Sequence, residues 1–346
     1  MPNAPRSVPQ GKTLVTGAGG HVGANLVRRL LADGVDVRVL VHPRHDNRGV
    51  AGLAVERVEG DLRDRDAVRR AVTGCARVYH TAAKVSVNAP TAAQSREIWE
   101  VNVLGTQNVM QAALRAGVAR VCLTSSFSTV GYHADDPSRA CAEDLPFYPF
   151  IDWMPYSRTK VLAEVETFKA IADGLDAVIA ISTGVCGPHD YLPSRTGRVL
   201  VDFARGKFRA YIPGGYEAVG VDDLARGHVL AMERGRTGQR YTISTRYVAM
   251  HEMLALFSEV TGKPNRARAL PPRLMAGLAR VIAGPMTALF PDVPQQLTPG
   301  AVLVLTMQRR ADITKAREEL GYEPGALEPT IRAWYEFFVR EGMIER

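Results

Sequence analysis

The sequence predicts an α/β chain: a doubly wound parallel sheet with a smaller C-terminal α/β lobe. Three observations predict it. Short, nearly continuous apolar runs alternate with segments of helical period through the first half, as in strands buried on both faces. A glycine-rich segment, Thr16-Gly17-Ala18-Gly19-Gly20-His21-Val22-Gly23, falls where the first apolar run meets the first helical segment. After Gly187-Pro188 the alternation breaks, and residues 192–215 are richer in Pro, Gly and Arg.

The elements follow in order. Lys12–Thr16 is the first strand. His21–Ala32 carries Val22, Leu26 and Leu30 with Val27 and Leu31, a helical stripe that Gly34 stops. Further strands are expected at Val35–Val41, Val55–Glu59, Arg77–Thr81, Arg120–Ser125 and Ala177–Ser182. Helices are expected between them at Asp64–Val72, Ile98–Ala116 and Met154–Ala172. A strand-helix unit returns at Val219–Glu233, then a strand at Arg240–Ser244. Helices are expected at Met250–Thr261, Pro272–Ala283 and Thr330–Glu341. The expected division is a dinucleotide-binding domain over 11–186, with a returning segment at 219–245. A substrate lobe then comprises 187–218 and 246–346, and residues 1–10 form a loose tail.

Composition narrows the partners. The 346 residues carry 43 Lys and Arg against 36 Asp and Glu, a net charge of +7. The basic residues are scattered, without the blocks or aromatic-basic pattern of a nucleic-acid binder. Cys75, Cys122, Cys141 and Cys186 have no CxxC spacing and no neighbouring histidines, so buried free thiols are expected and a metal is not. The Pro-rich start lacks the apolar run of a signal peptide, and a cytoplasmic location is expected. Leu274–Phe290 is the most apolar late stretch, but Arg280, Gly284 and Pro285 interrupt it, so no membrane insertion is expected. The stretch could cover an apolar pocket, contact a membrane surface or be packed core; core is the preferred reading and the pocket the second.

The glycines carry the first chemistry. At 17, 20 and 23 they allow a tight turn, close approach of backbone to a pyrophosphate, and close packing of helix on strand. The helix start at His21 and Val22 then offers unpaired N–H groups to the phosphates. The end of the second strand, Leu40-Val41-His42-Pro43-Arg44, has no carboxylate to hold a ribose 2′-hydroxyl. His42 and Arg44, with Arg48, could instead accept a 2′-phosphate, which favours NADP(H) with NAD(H) as the alternative. Asp61 and Leu62 follow a strand end. The Asp61 carboxylate could accept the adenine amino group, cap the next helix, or both. His80-Thr81-Ala82-Ala83 closes another strand with small residues suited to the cofactor's ribose.

Tyr156 and Lys160 in Tyr156-Ser157-Arg158-Thr159-Lys160 are neighbours on one helix face. A phenol titrates near ~10, too high for proton shuttling at neutral pH. An adjacent ammonium and a cationic nicotinamide ring would favour the phenolate. Ser126 ends the strand Leu123-Thr124-Ser125-Ser126 and could polarise a substrate oxygen. Ser125 is the alternative if the register slips by one.

In this order, TGAGGHVG, Gly60-Asp61-Leu62, the stretch from Asn102 to Val109, LTSS, YSRTK, Gly184–Pro188 and Val221–His228 resemble the extended short-chain dehydrogenase/reductase family, the NAD-dependent epimerase/dehydratases. The dihydroflavonol-4-reductase-like and hopanoid-associated sugar epimerase-like branch is the nearest in pattern. The resemblance implies a Rossmann domain and a Ser126, Tyr156, Lys160 triad. It also implies a homodimer through the helices at Ile98–Ala116 and Met154–Ala172. Phe127-Ser128 stands where sugar-nucleotide dehydratases carry acidic residues, and Tyr216–Val219 lacks the Arg-Asp approach common in nucleotide-sugar enzymes.

The expected activity is an NAD(P)H-dependent ketone or aldehyde reductase, or the reverse alcohol dehydrogenase, on a small and fairly hydrophobic substrate. Phe147, Tyr148, Phe150, Trp153, Tyr191, Phe203, Phe208 and Tyr211 are the candidate aromatics of the lobe. Two alternatives stand: a nucleotide-sugar epimerase that retains NAD, and a non-catalytic dinucleotide sensor.

Overall fold

The computed structural model describes Asn3 and residues 11–85, 91–148, 154–289 and 298–345. The first half runs β1 (Thr13–Thr16), α1 (His21–Ala32), β2 (Val37–Val41), β3 (Glu56–Glu59), α2 (Arg65–Val72), β4 (Arg77–His80), α3 (Ala92–Trp99), α4 (Gly105–Arg115), β5 (Arg120–Ser126), β6 (Ala140–Cys141), α5 (Pro155–Ala172) and β7 (Ala177–Ser182). The second half runs β8 (Gly184–Cys186), α6 (Arg195–Ala204), β9 (Ala210–Tyr211), β10 (Gly215–Gly220), α7 (Val221–Arg234), β11 (Arg240–Ile243), β12 (Arg246–Ala249), α8 (Met250–Thr261), β13 (Arg268–Ala269), α9 (Pro272–Leu289), α10 (Pro299–Met307), β14 (Arg310–Ala311) and α11 (Leu327–Arg340).

Seven strands form one sheet in the order β11-β7-β5-β4-β1-β2-β3, every neighbouring pair parallel. All four residues of β1 and of β4 are buried, as two-sided coverage by helices requires. On one face Leu26 and Val27 of α1 meet Leu224 and Met232 of α7. On the other, Val68 of α2, Val109 of α4 and Ala170 of α5 pack together. Strand order reverses between β1 and β4. That switch point opens a crevice at the carboxyl ends of the strands, where ligands of such sheets bind.

A second sheet, β12-β10-β8, lies outside the first. Gly184–Cys186 pairs with it through β10 and so leaves the large sheet directly after β7. Around it Phe203 of α6, Phe257 of α8 and Trp334, Phe337 and Phe338 of α11 form a separate core. A fourth cluster joins Ile212, Met275 and Ala279 of α9, and Val302 of α10.

Several expectations are corrected. The helix expected from Ile98 begins at Ala92, where Thr91 and Gln94 form a reciprocal cap, and it passes through a π turn at Glu100–Leu104 before α4. Its first turns carry no apolar stripe, which hid the start. α9 extends to Leu289, beyond the expected Ala283. The tail is held at Asn3, whose N–H donates to the Glu319 carbonyl and whose amide donates to the Arg234 carbonyl; the rest of residues 1–10 lies outside the described residues. The four cysteines are buried and free, as expected. Among the described residues no helix is long and apolar enough to cross a membrane.

Candidate functional site

The glycine turn joins β1 to α1 at the switch point. Gly17 takes a φ of 70°, and a Cβ there would sit 2.5 Å from the Ala82 Cα. A Cβ on Gly23 would lie 2.3 Å from the Gly17 carbonyl oxygen, so helix and turn touch through backbone. Gly20 is the N-cap of α1 and supplies no side-chain cap, and the first turn carries no acid. The opening N–H groups and the positive end of the helix dipole are therefore left for an anion. This cradle fits the pyrophosphate of a dinucleotide.

The flanking residues divide. His21 turns its ring towards the lobe: Nε2 is 2.9 Å from the Gly187 carbonyl oxygen, and the ring stacks on Trp334 at 6.1 Å. Val22 packs against the sheet core. Thr81 donates to the Thr16 carbonyl at 2.7 Å, which brings Ala82 and Ala83 over the end of β1. Buried His80 is held between Thr16 Oγ1 at 2.7 Å and Thr106 Oγ1 at 3.0 Å, and burial pushes it down to about 3, so it stays neutral. Its role is to fasten the strand ends together.

The loop after β2 lies against the turn, with Asp46 O 2.9 Å from where a Gly19 Cβ would be. His42 Nε2 lies 3.3 Å from Asp61 Oδ2, and Arg44 is exposed. Arg48 is committed to Asp46 and to the Tyr191 carbonyl, so it does not join them. Arg63 grips both Asp61 oxygens and, with His42, holds that carboxyl down to about 2. The capping role read for Asp61 belongs to Asp64, which accepts from the Asp66 and Ala67 N–H groups. Leu62 packs on Gly105, and its carbonyl accepts from Asn108 at 2.8 Å.

Tyr156 and Lys160 lie one turn apart on α5, and Ser126 is close enough to the Tyr156 phenol to favour its ionised form. Ser126 also receives bonds from Ser128 N at 3.3 Å and Ser128 Oγ at 3.0 Å. Ser125 points the other way: it is buried and donates to Glu164, which pairs with Arg240 Nε at 2.8 Å. Of the two serines, Ser126 is the one facing the crevice. Lys160 is buried, donates to the Thr124 carbonyl at 2.6 Å, and is pushed down to about 8 by burial. The protein's own groups do not lower the phenol: burial outweighs the effect of Ser126 and drives Tyr156 up to about 12. The expected lowering draws on the ammonium and a cationic nicotinamide ring together; in the protein by itself the Lys160 ammonium donates to the Thr124 carbonyl and does not offset the burial of the phenol.

Asn102 stood in the sequence only as the start of a family motif, with no role read for it. It is buried in the π turn, accepts from Lys84 N at 2.7 Å, and donates to Lys84 O and Thr159 Oγ1, both at 3.0 Å. It ties the loop after β4 to the helix bearing Tyr156. Buried His228 likewise closed a motif without a role; its Nδ1 meets the Leu224 carbonyl at 2.8 Å and its Nε2 meets Thr124 Oγ1 at 2.7 Å, bracing the residue that receives Lys160. The side-chain partners of both lie far off in sequence, so spacing carried no signal.

From Ser126 a cavity of about 470 Å³ runs into the lobe. Met154, Phe208, Tyr211, Met250, Met253 and Met275 give it an apolar wall, with Arg195, Glu217 and Arg309 as its charged members. Arg309 is spent on the Phe127, Val130 and Gly131 carbonyls. Glu217 accepts from Ser244 at 2.6 Å and from Ala311 N at 2.9 Å. Of the expected aromatics, Phe208 and Tyr211 line the cavity, Phe203 packs on Phe257, Tyr148 and Phe147 lie under Arg309 and Arg240, and Tyr191 lies under Arg48. Phe150 and Trp153 lie outside the described residues.

The chain is similar to named proteins over nearly its whole length. Sterol demethylase protein B of Methylococcus capsulatus is 39% identical over 332 residues, covering 96% of this chain and 99% of that one. The 4-hydroxy-2-methyl-3-oxo-4-farnesyl-3,4-dihydroquinoline-1-oxide ketoreductase of Stigmatella aurantiaca is 29% identical over 317 residues, covering 90% and 91%. The crystal structure of gox2253 superposes with a TM-score of 0.82 at 30% identity, over 97% of this chain and all of that one. Residues 13–244, from the start of β1 to just past β11, match the NAD dependent epimerase/dehydratase family. With its seven-stranded switch-point sheet and glycine cradle, the chain belongs to that family.

Proposed function

We propose that this chain is an NADP(H)-preferring oxidoreductase that interconverts a ketone and a secondary alcohol on a bulky apolar substrate of sterol-like or terpenoid character. One observation carries the reading: an apolar cavity of about 470 Å³ ends at Ser126, which lies beside the Tyr156 phenol. Pockets of this size bury drug-sized ligands. A wall rich in Met and aromatics has little to offer a sugar diphosphate. The names of two relatives, one sterol-directed and one a ketoreductase of a farnesylated ring, support the same substrate class.

Bound nicotinamide supplies or accepts the hydride. In the proposed reduction Ser126 holds the carbonyl oxygen, and Tyr156 gives it a proton as the carbon becomes an alcohol. A phenol held up near 12 is fully protonated at neutral pH, the correct state for a donor. Lys160 holds ribose hydroxyls and contributes positive charge while its pKa near 8 keeps it protonated. His42 and exposed Arg44 take the 2′-phosphate. A homodimer through the α4 and α5 faces belongs to the same proposal, with half-buried Leu162 and Val165 as its seam; a monomer in sedimentation at micromolar concentration refutes that part.

The test begins with denatured protein and an assay for released cofactor. No retained cofactor, tighter binding of NADPH than NADH, and NADPH-dependent reduction of ketosteroids are expected. Tyr156→Phe should abolish turnover and keep NADPH binding. Stoichiometric retained NAD with no net reduction would overturn the reading in favour of an epimerase.

A further inference from the structure

We propose that α9 docks the protein on an anionic lipid surface. Its inner residues Met275 and Ala279 are buried against Ile212 and Val302. On a different face Leu274, Leu278 and Val281 stand at i, i+4 and i+7, hence on one stripe, and are 60%, 42% and 73% exposed. Among the described side chains, the packed core expected of this stretch is formed by Met275 and Ala279. Single exposed apolar residues are ordinary, but an aligned stripe on one helix marks an interaction face.

Charge selects the occupant. From Thr261 to Leu289 the sequence contains no Asp or Glu. Lys263, Arg266, Arg268 and Arg273 are exposed along the approach to the helix. β13 pairs with β9, so Arg268 lies beside Arg209, with exposed Lys207 close by in sequence. An apolar stripe with these positive charges on its approach complements an anionic leaflet, whose acyl boundary accepts the leucines while its headgroups meet the arginines. A second copy of this chain would oppose these charges with like charge.

Placement links the face to the cavity. Met275, next to Leu274, lines the cavity, and Val304 of α10 both lines it and is 44% exposed. The α9–α10 side of the cavity therefore reaches the surface that would lie on lipid. Delivery of an apolar substrate by this route rests on the proposed redox function; the docking itself does not.

The test uses the whole protein and vesicle co-sedimentation, with no turnover involved. Vesicles of phosphatidylcholine containing about a quarter phosphatidylglycerol should pull the protein down at low salt, and phosphatidylcholine alone should do so far less. Leu278→Glu with Val281→Glu should weaken binding by roughly tenfold or more. Arg266→Ala with Arg268→Ala should weaken it by about fivefold per charge on anionic vesicles only. All four sites are exposed, so unchanged melting and circular dichroism are expected. No sedimentation at low salt, or equal sedimentation of the Glu variant, overturns the proposal. So does self-association that the Glu variant abolishes without any vesicle binding, which would make the stripe a contact between copies of this chain.

Discussion

Replacing Lys160 by Met should make the protein more stable and less active, and the stability gain should vanish at high pH. The ammonium is buried in α5, with the Thr124 carbonyl at 2.6 Å as its bonded acceptor. Burial lowers it from 10.5 to about 8. At about 1.4 kcal/mol per pH unit, holding the group charged in the folded state costs about 3 kcal/mol at pH 7. Met keeps the stem and removes the charge but loses the bond to Thr124, a term of about 1–2 kcal/mol. The net expectation at pH 7 is a gain of about 1–2 kcal/mol. The folded pKa lies below the unfolded one, so the unfolded chain binds more protons between about 8 and 10.5. Wild-type stability therefore rises with pH through that window, and the advantage of Lys160→Met shrinks as it does. Urea unfolding of both proteins at pH 7 and pH 10 measures this, alongside NADPH-dependent turnover, which should fall at least about a hundredfold. A variant less stable at pH 7, or a difference independent of pH, would refute the reasoning.

Arg44→Ala should weaken NADPH by roughly tenfold through a lost charge-assisted phosphate contact and leave NADH unchanged, as read by fluorescence titration. Equal losses for both would place Arg44 elsewhere in the cofactor site. Gly23→Ala puts a Cβ 2.3 Å from the Gly17 oxygen and should abolish binding of both dinucleotides, because the backbone must shift to admit it. Asn102→Ala leaves two Lys84 backbone groups without their side-chain partner and should cost about 2–4 kcal/mol in urea unfolding. Its cofactor KM should rise more than its kcat falls, since the loop it holds borders the glycine turn. In the reducing direction, rate should be flat at neutral pH and fall above about 8 as Lys160 loses its proton, a limb that Lys160→Met should lack.

Much of the sheet was legible because β1, β5 and β7 are largely apolar runs buried on both faces, a signal contained within each strand. The lobe was less so. β8 and β12 are short, and they become strands by pairing with β10, whose residues lie tens of positions away from β8 and β12. The glycine turn was legible because three glycines at that spacing serve backbone contacts, and the choice of Ser126 over Ser125 needed the strand's register at its last residue. Asp61 and Asp64 illustrate the limit: both follow a strand and precede a helix, and only the position of the first helical turn decides which one caps. The charge on Lys160 was legible, but not its direction, because the accepting atom is a backbone carbonyl that no side-chain pattern reports.

The stacking of His21 on Trp334 joins residues near the two extremities of the chain. His21 opens the phosphate-facing helix, and Trp334 sits in α11, the last helix, fully buried among its lobe neighbours. During synthesis the cradle would be made early but would wait for the final helix before its first residue is seated. Competence to hold a dinucleotide should therefore arise only once α11 has been made and packed. A chain clipped before α11 should keep its large sheet and lose cofactor before it loses overall shape.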